Sequence, residues 1–186
     1  GGAMVDEVDT ARTVTLPDIG GRSTAGFSGL AAQGFAEIGY RIGSGRIVFE
    51  PFADAAIVDL QTSGFHESGG AASLSGGAGQ FRTYYITDGA HIAARLGTIG
   101  GMTGTLHGSV GWRTAFGDIV PSTAVRYTGG GAFTVTGVPI ARDTMVIEAG
   151  VALRVSGSVD VDIGYTGQIA AEAQDHDLEG SLRWRF

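Results

Sequence analysis

Apolar side chains recur at every second position along most of this chain, and that period of two leaves little room for anything but β-strands. Met145, Ile147, Ala149, Val151 and Leu153 share one face of a segment whose other face carries Glu148, Gly150, Ala152 and Arg154. Val159, Val161, Ile163 and Tyr165 likewise oppose Asp160, Asp162 and Gly164. No stretch with helical period competes. Strands are expected over about residues 5–16, 31–42, 46–60, 81–96, 103–116, 143–155 and 159–170, with a last strand that ends at 186. A polar, Gly-rich loop is expected between the first two. Tight turns are expected at Gly43-Ser44-Gly45, 97–101 and Ser156-Gly157-Ser158. The connections at 64–80, 117–143 and 171–177 are longer, and that at 117–143 holds two short strand-like pieces flanking Gly129-Gly130-Gly131.

Two environments produce such alternation: a water-soluble sandwich with its apolar faces inward, and a membrane-spanning sheet with them outward. Mean hydropathy is slightly positive at +0.16. No run approaches the roughly 18 apolar residues that a spanning helix needs, whereas barrel strands need only about 9–11 residues, half of them apolar. The alternation of short and long connections is the asymmetry of outer-membrane barrels, whose periplasmic turns are short. The last residues point the same way. Leu182, Trp184 and Phe186 share a face, with Ser181, Arg183 and Arg185 opposite. The expected fold is therefore all-β, an antiparallel up-and-down transmembrane barrel of about eight strands. Its wet lumen would be lined by Glu37, Arg41, Glu50, Arg95, Arg113, Glu148, Arg154, Arg183 and Arg185. Its membrane-interface aromatics would be Tyr40, Trp112, Tyr165 and Trp184.

Composition removes other classes. There is no cysteine, hence no disulfide or thiolate site. The net charge of -7 argues against nucleic acid, which needs a basic surface. No zinc-protease, Walker A, nucleophile-elbow or dinucleotide motif occurs. Gly64-Phe65-His66-Glu67-Ser68-Gly69 superficially looks like a hydrolase motif and is discounted because it lies in a Gly-rich connection. Asp175-His176-Asp177 is the one candidate metal triplet, and it reads as solvated loop. No catalytic residue, metal or cofactor is expected. Gly1-Gly2-Ala3-Met4 reads as a stretch appended in cloning, with the domain over 5–186. No signal peptide precedes it, and the native start is expected further upstream.

Several segments, in order, resemble the translocator domains of autotransporters (type V secretion). They include Gly34-Phe35-Ala36-Glu37-Ile38-Gly39-Tyr40-Arg41, Glu50-Pro51-Phe52-Ala53 and Gly111-Trp112-Arg113-Thr114-Ala115-Phe116-Gly117-Asp118. Further segments are Phe133 to Asp143, Glu148-Ala149-Gly150, Ile163 to Gln168, Ala173 to His176 and the closing Leu182-Arg183-Trp184-Arg185-Phe186. The resemblance runs from about Asp9 to Phe186. It implies a twelve-stranded barrel in the outer membrane of a Gram-negative bacterium, with a pore helix linked to an exported passenger. About eight strands are counted here, matching the C-terminal two-thirds of that barrel. The first four strands, the pore helix and the passenger have no counterpart.

The resemblance also implies a translocating and anchoring role rather than an enzymatic one. Implied partners are outer-membrane lipid and lipopolysaccharide, the barrel-assembly machinery and the chain's own passenger. Leu182, Trp184 and Phe186 would form the assembly signal, with Ser181 where a glycine is usual. Some autotransporters cut their passenger at an asparagine junction; this chain has no asparagine. An incomplete barrel would be expected to pair its edges with another copy, because unpaired strand edges are costly in lipid. A stand-alone small barrel acting as an adhesin or structural surface protein is the alternative, and a soluble β-sandwich binding module a third.

Overall fold

A computed structural model describes residues 1–16, 20–43 and 45–186. Among them run twelve strands: β1 (Gly2–Val14), β2 (Gly21–Gly39), β3 (Ile47–Thr62), β4 (Phe65–His66), β5 (Leu74–Gly76) and β6 (Gly79–Ile99), then β7 (Met102–Gly117), β8 (Ser122–Tyr127), β9 (Ala132–Thr136), β10 (Asp143–Arg154), β11 (Val159–Ile169) and β12 (Gln174–Trp184). Eight long strands form one sheet in the order β1-β2-β3-β6-β7-β10-β11-β12, and β4-β5-β8-β9 form a second. Every long strand neighbours the next in sequence, the meander that the alternating turns predict.

Local chemistry sets the turns. Gly100 and Gly101 both take positive φ, 59° and 84°. Two-residue hairpins with the primed twist need positive φ, which side chains disfavour. At the β10–β11 connection the amides of Val155 and Ser156 both donate to the Val159 carbonyl, at 2.9 and 3.3 Å. The turn expected at Gly43-Ser44-Gly45 includes Ser44, outside the described residues, as are residues 17–19 of the first expected loop.

The residues form two compact units, described separately. One comprises Gly1–Phe35, Ala56–Tyr84 and Phe116–Ile140; the other comprises Ala36–Ala55, Tyr85–Ala115 and Ala141–Phe186. In the first unit, β1 pairs with β2 from Gly2↔Gln33 to Val14↔Gly21. The expected Gly-rich loop is thus largely strand, and β2 starts at Gly21 rather than near Ala31. Thirteen cross-strand rungs impose the extended backbone that Ala and Gly would not choose alone.

The connection at 64–80 also departs from an exposed loop. It folds into the β4–β5 hairpin, which β8 and β9 extend into a four-stranded sheet. The two strand-like pieces expected between 117 and 143 are β8 and β9. A third correction concerns the last connection: β12 starts at Gln174, inside the loop expected at 171–177.

Where the apolar side chains go separates sandwich from membrane sheet. Among the described residues the buried hydrophobics are Ala25, Ala115 and Val125, whereas Ser23, Glu67, Ser73, Thr83 and Thr87 are buried polar groups. Ile163 is 54% exposed, Leu178 75% and Leu182 69%. Each large aliphatic side chain left in water forgoes about 1.5–3 kcal/mol of burial. A soluble sandwich would enclose these residues, so that expectation fails.

Candidate functional site

In the second unit the strand registers sort side chains onto two faces. Glu148 lies opposite Ser109 on β7 and Thr166 on β11; Ala152 opposite Thr105 and Asp162; Arg154 opposite Thr103 and Asp160. Asp160 in turn faces Arg183, and Asp162 faces Ser181. Since rungs keep one face across a sheet, these residues make a continuous polar surface. The alternate rungs carry Val151–Ile163, Leu153–Val161, Val161–Leu182 and Val159–Trp184, an unbroken apolar surface. One strand feeds both.

The nine residues expected to line a lumen fall into local groups. Arg41 Nε donates to Glu50 Oε2 at 3.2 Å. Glu37 meets His91 Nε2 at 3.5 Å, and the His91 ring stacks on Phe52 with centroids 4.2 Å apart. Ser109 donates to Glu148 at 3.2 Å. Arg113 donates to the Thr87 hydroxyl at 3.3 Å and lies over the Tyr85 ring. Arg154 donates to Asp160 Oδ1 at 3.1 Å, while Arg185 bonds the other oxygen. Arg41, Glu50 and Glu148 border one cavity with His91 and His107. Arg95, Arg154, Arg183 and Arg185 border another of about 720 Å³.

The aromatic residues also divide. Trp112 pairs across with Met145 and its indole N–H donates to Asp143 at 3.4 Å. That is the end of β10 away from the 156–158 turn. Trp184 pairs with Val159, at the turn end, and is 70% exposed. Tyr165 sits between, on the apolar face, and its hydroxyl meets His176 Nδ1 at 2.8 Å. Tyr40, 74% exposed, follows the last residue of β2, with its amide on the Pro51 carbonyl. Leu182 and Trp184 occupy alternate positions of β12, and Phe186 lies two residues past its end. The Asp175-His176-Asp177 triplet lies in β12, so its carboxylates and its imidazole are on opposite faces and do not converge.

Sequence reading missed one cluster, in the first unit. Arg12 on β1 reaches Glu67 with two bonds, 3.2 and 2.5 Å, and the Ala72 carbonyl at 2.6 Å. Glu67 is only 6% exposed and also accepts the Leu74 amide at 2.8 Å. Thr24 and Ser68 exchange backbone bonds beside it, and the buried Ser23 and Ser73 hydroxyls are 3.4 Å apart. The β4–β5 hairpin is thereby latched onto β1 and β2. Glu67 stands in the connection between β3 and β6, and the Arg12 hydrogen bond holds its carboxyl below the ordinary glutamate range despite burial.

A depressed carboxyl value stabilises the fold above the ordinary glutamate range, and that stability is lost as pH falls through the depressed value. A spin label on Gly77→Cys, one residue past β5 and open enough to take the label without a clash, is therefore expected to report a restrained backbone at neutral pH. It should become mobile only in acid below the usual carboxylate range. A label equally mobile at both would deny the latch.

Comparison with known proteins follows the same lines. The family described as Autotransporter beta-domain matches residues 1–166. Two proteins of Serratia marcescens, each named extracellular serine protease, are 30% and 29% identical over 180 residues. The alignment covers 96% of this chain but 17% of theirs, so the chain spans about a sixth of the relatives it matches. The two-faced meander and the family match agree: the chain belongs to the autotransporter beta-domain family.

Proposed function

We propose that this chain is the outer-membrane anchor through which an attached passenger polypeptide reaches the cell surface. As an autotransporter β-domain it is a non-catalytic transmembrane barrel domain of the Gram-negative outer membrane, in type V secretion. The observation that carries the proposal is the segregation of faces across β7, β10, β11 and β12. The apolar face suits lipid, and the polar face, with Arg and Glu groups answering one another, suits a hydrated passage.

The nine lumen residues supply that passage. Tyr40 and Trp184 at the turn end and Trp112 at the other suit the two membrane interfaces, with Tyr165 between them. Outer-membrane lipid and lipopolysaccharide are the surroundings. The barrel-assembly machinery is the partner for Leu182, Trp184 and Phe186, because an edge strand offers backbone bonds for affinity and alternating side chains for register. β1 and β12 end the strand order. In lipid an open strand edge would need a partner strand, such as one from a second copy.

The test is made in cells that produce the whole protein. Replacing Leu182, Trp184 and Phe186 together by serine should reduce the heat-modifiable outer-membrane form and the passenger accessible to external protease by about tenfold or more. Undiminished passenger exposure would contradict the assembly role.

A further inference from the structure

We propose that the guanidinium cluster at the turn end of the polar face binds a carboxylate-rich stretch of extended polypeptide. Four arginines, Arg95, Arg154, Arg183 and Arg185, border the 720 Å³ cavity together with two carboxylates, Asp160 and Asp162. That local excess of two positive charges stands in a chain whose net charge is -7. Asp160 is engaged by both Arg154 and Arg185. Arg95 and Arg183 have no carboxylate partner among the described residues. Two planar forks are thus left with donors suited to carboxylate oxygens.

Position selects the source of the anion. The flanking residues Leu153, Val161, Leu182 and Trp184 project from the opposite face, which the proposed function gives to lipid, so lipid phosphates are kept from the cluster. Arg183 lies in β12 and Arg185 one residue past its end, with its amide still bonded to the Ser158 carbonyl; in extended chain such residues recur at roughly 6.6 Å. The carboxylates on one side of an extended acidic peptide recur at the same interval. The inference rests on the reading of the polar face as the polypeptide path.

The experiment uses the whole protein folded in detergent, with heat-modifiable migration as the check of folding. Fluorescence anisotropy follows a labelled oligoglutamate peptide at low ionic strength. Arg95→Gln with Arg183→Gln should weaken binding by about tenfold. These two are chosen because their loss strands no carboxylate. Arg126→Gln, on β8 and not among the nine lumen residues, should leave binding unchanged, and added salt should weaken it. The proposal is overturned if the double variant binds as tightly as the parent, or if oligoglutamine binds as well as oligoglutamate. It is equally overturned if inorganic pyrophosphate displaces the peptide at matching concentration, which would make the cluster a phosphate site. Ser181→Cys separates this from the underlying reading. If a water-soluble maleimide reaches Cys at 181 and no peptide binds, the peptide site alone falls. If the maleimide is excluded as well, the polar passage falls with it.

Discussion

Ile163→Arg is expected to prevent stable insertion of this domain, whereas Thr166→Arg, three residues along the same strand, is expected to be tolerated. Ile163 lies on the apolar face between Val151 of β10 and Gly180 of β12. It is well inside β11, and more than half of its surface is uncovered by protein. An arginine facing lipid near the middle of a membrane costs about 2–4 kcal/mol. That converts to roughly a 30- to 900-fold loss in the folded population. Thr166 lies on the polar face opposite Glu148 and Asp177, where a guanidinium stays hydrated and meets carboxylates. Titration with urea in lipid vesicles, read by heat-modifiable migration, gives both values. Similar effects from the two arginines would mean that the faces do not differ in solvent.

Arg12→Ala is expected to release the β4–β5 hairpin while leaving the long strands paired. The substitution removes three bonds at once and leaves Glu67, almost fully covered, with only the Leu74 amide. A buried group deprived of its partner costs about 1–3 kcal/mol, more if charged. The lower part of that range applies here, because the Arg12 side chain is about one-third exposed. Faster hydrogen exchange should be confined to 65–76 and the strand β8 that it pairs with. Glu67→Gln keeps an acceptor for Arg12 and should produce a smaller effect. Exchange that rises equally in β10, β11 and β12 would show instead that Arg12 supports the whole domain.

Much of this was readable because β-strands at a lipid–water boundary must alternate. β7, β10 and β11 declare themselves through aliphatic residues at every second position, and their two faces follow directly. The start of β2 does not, since Ser23, Thr24, Ala25 and Gly26 carry no contrast between faces. Only pairing with β1 makes them strand. The same holds for Asp175-His176-Asp177, polar on both sides yet extended by β11. Glu67 was unreadable for another reason. Its partner Arg12 is 55 residues away, and nothing local in a Gly- and Ser-rich stretch announces a buried ion pair. The Arg and Glu residues of the polar face were legible as a set. That Asp160 joins Arg154 to Arg185 needed the register of three strands.

The most direct measurement is a cysteine scan of residues 161–166 in β11, one position at a time, in a chain that has no native cysteine. The folded domain in vesicles is treated with a water-soluble maleimide and, separately, with one confined to the hydrocarbon phase. The account predicts that positions 162, 164 and 166 react from water, and that 161, 163 and 165 react from lipid. Uniform reaction from water at all six would contradict it, because the apolar face would then have no membrane against it.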